Sequence, residues 1–102
     1  MNSAETENEI ARQIRQAWFD ATKYPATFRY GDRFPVTLIV NGVTQHFNLF
    51  KRSKDDVYYI EHLGYQEIKS WNGSLLSSNK VMIVYKLPRN GRLVAHTTYP
   101  LR

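Results

Sequence analysis

PVTLIVNGVTQHFNLF, residues 35–50, decides the fold. Two runs of β-branched and aromatic residues flank Asn41-Gly42, the dipeptide that suits a two-residue type I′ turn, so the stretch predicts a β-hairpin. The turn fixes the register. Val40 faces Val43, Leu38 faces Gln45, Thr37 faces His46 and Val36 faces Phe47. One face of the hairpin then carries Val36, Leu38, Val40, Val43, Phe47 and Leu49 and is expected to pack on a helix. The other carries Thr37, Thr44, His46 and Asn48, with Ile39 as its apolar exception, and is expected to be open.

The helix lies on the N-terminal side. Over residues 6–22, Ile10, Ile14, Ala17, Trp18 and Ala21 form one apolar stripe at helical spacing. Thr6 and Glu9 have capping-box spacing, acids crowd the first turn, and Tyr24 before Pro25 marks a stop. Trp18 sits on the stripe and is read as core. Downstream, VYYIEHL (residues 57–63) reads as a third strand. Pairing Phe47 with Ile60 and Leu49 with Tyr58 keeps apolar groups together and sets His46 opposite Glu61. Residues 64–79 show no clear period. They read as a long loop in which Tyr65, Ile68 and Trp71 form a helical turn and Trp71 an anchor. KVMIVYKL (residues 80–87) reads as a central strand that returns through Asn90-Gly91 into residues 93–99. A type I′ turn there sets Tyr85 against His96, Ile83 against Thr98, Lys86 against Ala95, Val84 against Thr97 and Met82 against Tyr99. The whole is one domain, 1–102, of α+β class: an N-terminal amphipathic helix on a four- to five-stranded antiparallel sheet.

Composition narrows the chemistry. At 42% hydrophobic and 14% aromatic the 102-residue chain is globular, with length for one modest core. It has no cysteine, hence no disulfide and no thiolate nucleophile or ligand. No apolar run has the length of a membrane helix, and the polar, acidic start does not resemble a signal peptide, so a cytoplasmic location is expected. Net charge is +5, and from Lys23 onward twelve basic residues stand against five acidic ones. Such a body favours anionic partners, RNA among them.

Searching the chain for chemistry gives mostly exclusions. His46, His62 and His96 fall on three different strands, without metal-ligand spacing, so neither metal nor cofactor is expected. Phosphate-cradling glycine loops and nucleophile elbows are missing. Two constellations remain. His46 and Glu61 on neighbouring strands can act as base and acid, or be only an exposed cross-strand pair. Lys86, Thr97 and Tyr99 share one face of the last hairpin, where they can bind and polarise a phosphate, or simply satisfy strand propensity. His96 joins them if the strand carries a bulge. Around these lie Arg29, Arg33, Lys51, Arg52, Lys54, Arg89 and Arg92, in loops and turns suited to a polyanion groove.

The C-terminal stretch KVMIVYKLPRNGRLVAHTTYPLR resembles the closing hairpin of small bacterial ribonuclease toxin domains of the barnase, EndoU, colicin and RelE-type grouping. The likeness lies in Thr97-Thr98-Tyr99-Pro100 after Asn90-Gly91, about a fifth of the chain. It implies a helix followed by an antiparallel sheet, metal-independent RNA cleavage, and a histidine or glutamate base supported by lysine, threonine or tyrosine. Thr97 and Tyr99 match the motif directly, and the helical histidine pair of some of these families is missing. The resulting expectation is a small basic ribonuclease acting on RNA, with a cognate inhibitor or immunity protein as a second partner. The alternative is a non-catalytic binding module, such as a phage or plasmid regulator, that uses the open sheet face and basic loops. A third reading is a small-ligand pocket between helix and sheet, with residues 64–79 as its lid.

Overall fold

The computed structural model describes residues 3–23 and 28–101. Helix α1 (Ser3–Ala21) precedes five strands: β1 (Phe34–Val40), β2 (Val43–Phe50), β3 (Tyr58–Lys69), β4 (Leu75–Leu87) and β5 (Val94–Pro100). The strands hydrogen-bond in chain order as one antiparallel meander, so the α+β architecture is as expected, with five strands.

The stripe on α1 does what its spacing demands. Ala11 and Ile14 are buried against Leu38, Phe47, Leu49, Ile60 and Leu87, and Ile10, Ala17 and Trp18 pack around them. Fully burying such an aliphatic side chain is worth about 1.5–3 kcal/mol. Trp18 meets Phe28 and Phe34 edge-on, with ring centroids 5.1 and 5.9 Å apart. The helix begins at Ser3, so Thr6 and Glu9 lie inside it rather than framing its cap, and Glu9 pairs with Arg12. The Tyr24-Pro25 stop signal lies outside the described residues.

Asn41 (φ 51°) and Gly42 (φ 78°) are both left-handed, as a type I′ turn requires. The β1–β2 register follows from that turn as expected, Thr37 against His46 included. The helix caps the outer edge of β1 at Ile39. Gln13 Oε1 accepts a hydrogen bond from the Ile39 amide at 2.8 Å, and Gln13 Nε2 donates to the Ile39 carbonyl at 2.9 Å.

Three expectations are corrected. Between β2 and β3 the pairs are Asn48–Glu61, Leu49–Ile60 and Phe50–Tyr59, a slip of two residues from the expected register. An even slip keeps every side chain on its face, and this one sets two of the most buried residues, Leu49 and Ile60, side by side. Second, residues 64–79 are not a loop or lid. β3 and β4 continue as a two-stranded ribbon that reverses between Ser70 and Ser74, with Gly73 left-handed at φ 88°. Trp71 anchors nothing: it is 98% exposed at the tip. Third, the β4–β5 connection is not type I′. Asn90 is left-handed but Gly91 is not, and the Gly91 amide donates to the Pro88 carbonyl at 3.0 Å. Val84–Thr97, Ile83–Thr98 and Met82–Tyr99 pair as expected, yet Tyr85 meets Ala95 and Lys86 meets Val94. The surplus residue is His96, bulged out of the ladder.

Candidate functional site

Side chains alternate across a sheet, so the registers divide the functional residues between its two faces. Thr37, His46, Phe50, Tyr59, Glu61, Lys86, Thr97 and Tyr99 fall on the face turned away from α1. The helix side takes His62, whose ring stacks on Tyr85 with centroids 5.7 Å apart. The bulge turns His96 toward the open face, where its ring meets Tyr59 at 5.3 Å.

Glu61 is the centre of this face. It is only 3% exposed, a depth at which a carboxylate must be paired. Arg33 Nε donates to Oε1 at 3.0 Å, and the Tyr99 hydroxyl donates to Oε2 at 2.8 Å. Each carboxylate oxygen thus has one donor, and one donor is a fixed cation. Tyr99 reaches Glu61 across β4 because Thr97 and Tyr99 hold the expected register. Arg33 is held from below: its guanidinium lies 3.7 Å from the Phe50 ring centroid, and Nη1 donates to the Gly31 carbonyl at 2.6 Å. Phe50 stacks on Tyr59 at 5.2 Å, and Arg52 covers Tyr59 at 5.0 Å. Burial, and then acceptance of its hydrogen bond by Glu61, raise the Tyr99 phenol above its ordinary value, with Arg33 acting the other way.

The remaining expected residues divide. His46 is exposed, with Nδ1 3.4 Å from Thr37 Oγ1, and it no longer stands opposite Glu61. Both still line one open depression of about 280 Å³, at the point where β2 and β3 stop pairing. Lys86 is half-buried beside Tyr59, and Thr97 is exposed, its hydroxyl donating to the Thr98 carbonyl at 3.3 Å. The basic residues do not form one tract. Arg33 and Arg52 belong to the open face. Lys51 is buried on the helix side, near the Trp18 and Tyr58 rings. Arg92 pairs with Glu7 of α1, and Arg89 with Asp56. Arg29 and Lys54 are exposed in loops.

No family model, curated protein or solved structure matches the chain. Among the described residues no three His, Asp or Glu side chains converge as metal ligands would, and no helix is long and apolar enough to cross a membrane. What the open face offers is a buried carboxylate bonded to a phenol, beside a guanidinium that is itself 41% exposed. That set can bind an anion and move a proton.

Sequence reasoning missed three members of this arrangement. The sequence puts Arg33 in a polyanion groove rather than on Glu61, because the contact spans 28 residues and no local pattern encodes it. Tyr59 and Phe50 read from sequence only as strand residues. One signal points to them: two aromatics paired across neighbouring strands, one of them two positions from a carboxylate, mark a built surface.

Proposed function

We propose that the chain is a metal-independent ribonuclease of the small toxin type, acting on RNA in the cytoplasm at the Arg33–Glu61–Tyr99 cluster. The observation that carries the reading is the 2.8 Å hydrogen bond from Tyr99 to a buried Glu61 whose other oxygen is held by Arg33. RNA cleavage by its own 2′-hydroxyl needs a base, an acid and a cation for the charge that builds on phosphorus, and this cluster supplies all three.

In this mechanism the scissile phosphate draws the Arg33 guanidinium onto its non-bridging oxygens. Oε1 of Glu61 is then free to take the 2′-hydroxyl proton as the 2′-oxygen attacks phosphorus. The bond from phosphorus to the 5′-oxygen breaks, and Tyr99 protonates that oxygen as it leaves. Once the products leave, Glu61 releases its proton to water and the Tyr99 phenolate takes one up, so both groups end as they began. The products are a 2′,3′-cyclic phosphate and a 5′-hydroxyl. Lys86 and Thr97 flank the site on the same face and serve the phosphate, and His46, at the rim of the depression, serves the adjoining nucleotide.

The test is incubation of purified protein with structured and unstructured RNA in excess chelator. Cyclic-phosphate ends should appear. Glu61→Gln and Tyr99→Phe should each lower the rate by about 10²–10⁴-fold, the usual scale for general acid–base catalysis, with unchanged circular dichroism. His46→Ala should weaken binding more than turnover. Tight, salt-sensitive RNA binding without cleavage would replace this reading with the binding module.

A further inference from the structure

We infer that the open face of the β3–β4 ribbon holds a remote nucleotide subsite, where the Tyr65 ring stacks a base of single-stranded RNA and Lys80 takes the neighbouring phosphate. The inference rests on the ribonuclease reading for its ligand, and it adds which form of RNA the protein accepts.

The registers lay the subsite out in rows. Glu61 pairs with Val84, and Val84 with Thr97. The next row on the same face is Leu63, Met82 and Tyr99, and the row beyond it sets Tyr65 against Lys80. Leu63 and Met82 line the same depression as His46 and Glu61, so the Tyr65–Lys80 row follows directly on that depression. At a rise of about 3.4 Å per residue, Tyr65 stands about 14 Å along β3 from Glu61, room for two steps of an extended nucleotide strand. With the scissile phosphate at Arg33 and the adjoining nucleotide in the depression, the following base arrives at Tyr65.

Both residues are available to it. Tyr65 is 69% exposed, and among the described residues no aromatic ring or cation lies against its ring. Tyr59, six residues earlier on the same face, already has Phe50 and Arg52 against its own. Lys80 is exposed and makes no ion pair among the described residues. In the following row Glu67 is held by Lys69 at 3.4 Å, so the run of unpaired cations stops at Lys80. A bare ring beside an unpaired ammonium, continuous with a phosphate site, matches a base and its phosphate. A base can lie on Tyr65 only when it is unpaired and splayed from its neighbours, so the subsite selects single strands over duplex.

The probe is a fluorescein-labelled dodecanucleotide containing all four bases, with 2′-O-methyl groups throughout. It lacks the attacking hydroxyl, so fluorescence anisotropy reads binding apart from cleavage. The single strand should bind about tenfold tighter than the same strand annealed to its complement, which offers no base to the ring. Tyr65→Ile keeps strand propensity and removes the ring. It should weaken binding about tenfold, the scale of one base–aromatic stack, while Tyr65→Phe binds as wild type. Lys80→Ala should lower the slope of log affinity against log salt by about 0.7, the loss of one phosphate contact. On unmodified RNA, Tyr65→Ile should raise KM and leave kcat unchanged, as loss of uniform binding does. A dodecanucleotide that does not bind, binds equally as duplex, or is indifferent to Tyr65→Ile would overturn the subsite. If the binding results hold and unmodified RNA stays whole, the subsite stands and the ribonuclease reading alone fails.

Discussion

Arg33 and Tyr99 each hold one oxygen of a carboxylate that is only 3% exposed, so at the scale of single residues the two test different things. Arg33→Ala leaves Glu61 buried with its charge half compensated. We expect a loss of about 1–3 kcal/mol in urea unfolding, the cost of orphaning a buried polar group. Arg33→Lys should recover only part of it, because an ammonium lacks the planar fork. Tyr99 makes stability depend on alkaline pH. Its phenol is raised in the folded protein above the ordinary value of 10.0. As pH climbs past that value the unfolded chain gives up its proton first, and the folded state holds on. The contribution is thus complete below pH 10 and declines as pH rises toward the folded pKa. Urea midpoints from about pH 9 to 11 should fall more steeply for wild type than for Tyr99→Phe.

At the scale of elements, the edges of the sheet make the predictions. Gln13 occupies both backbone groups of Ile39, and Gln13→Ala should cost about 1 kcal/mol for lost hydrogen bonds and leave β1 open to aggregation. Light scattering beside urea unfolding reads both. In β5 the bulge makes His96 dispensable to pairing. Ala95 already faces Tyr85 and Thr97 already faces Val84, so deleting His96 leaves a regular ladder. A strand-interior deletion normally throws half its side chains to the wrong face. This one should keep its melting temperature within a few degrees and a native near-ultraviolet spectrum. The same elements show what the sequence made legible. Asn41-Gly42 fixed a register because both residues had to be left-handed and no others intervened. Asn90-Gly91 looked alike, yet Pro88 drew the turn one residue earlier and Gly91 was not needed in that conformation. The ribbon was illegible for a different reason. In YQEIK and LLSSN both faces meet water, and alternation, the signal that marks a strand, arises only when one face is buried. Glu61 and Tyr99 were legible as chemistry, but their partnership crosses three strands, and only the assembled sheet brings them together.

The molecule as a whole is a well-covered half and a bare one. α1 covers β1, β2 and the near ends of β3 and β4, while the far face of the sheet has no helix over it and the outer ribbon of β3 and β4 stays in water. The halves meet along three residue pairs, Asn48–Glu61, Leu49–Ile60 and Phe50–Tyr59, backed by the common core. So short a seam lets the molecule breathe there first. In native-state hydrogen exchange, amides bonded across it should open together at lower free energy than those deep in the β3–β4 ladder, which pairs over twelve positions. Glu61 lies on that line. Each opening would lend its carboxylate a moment of solvent, and the slowest step available to the site would then be a motion of its scaffold.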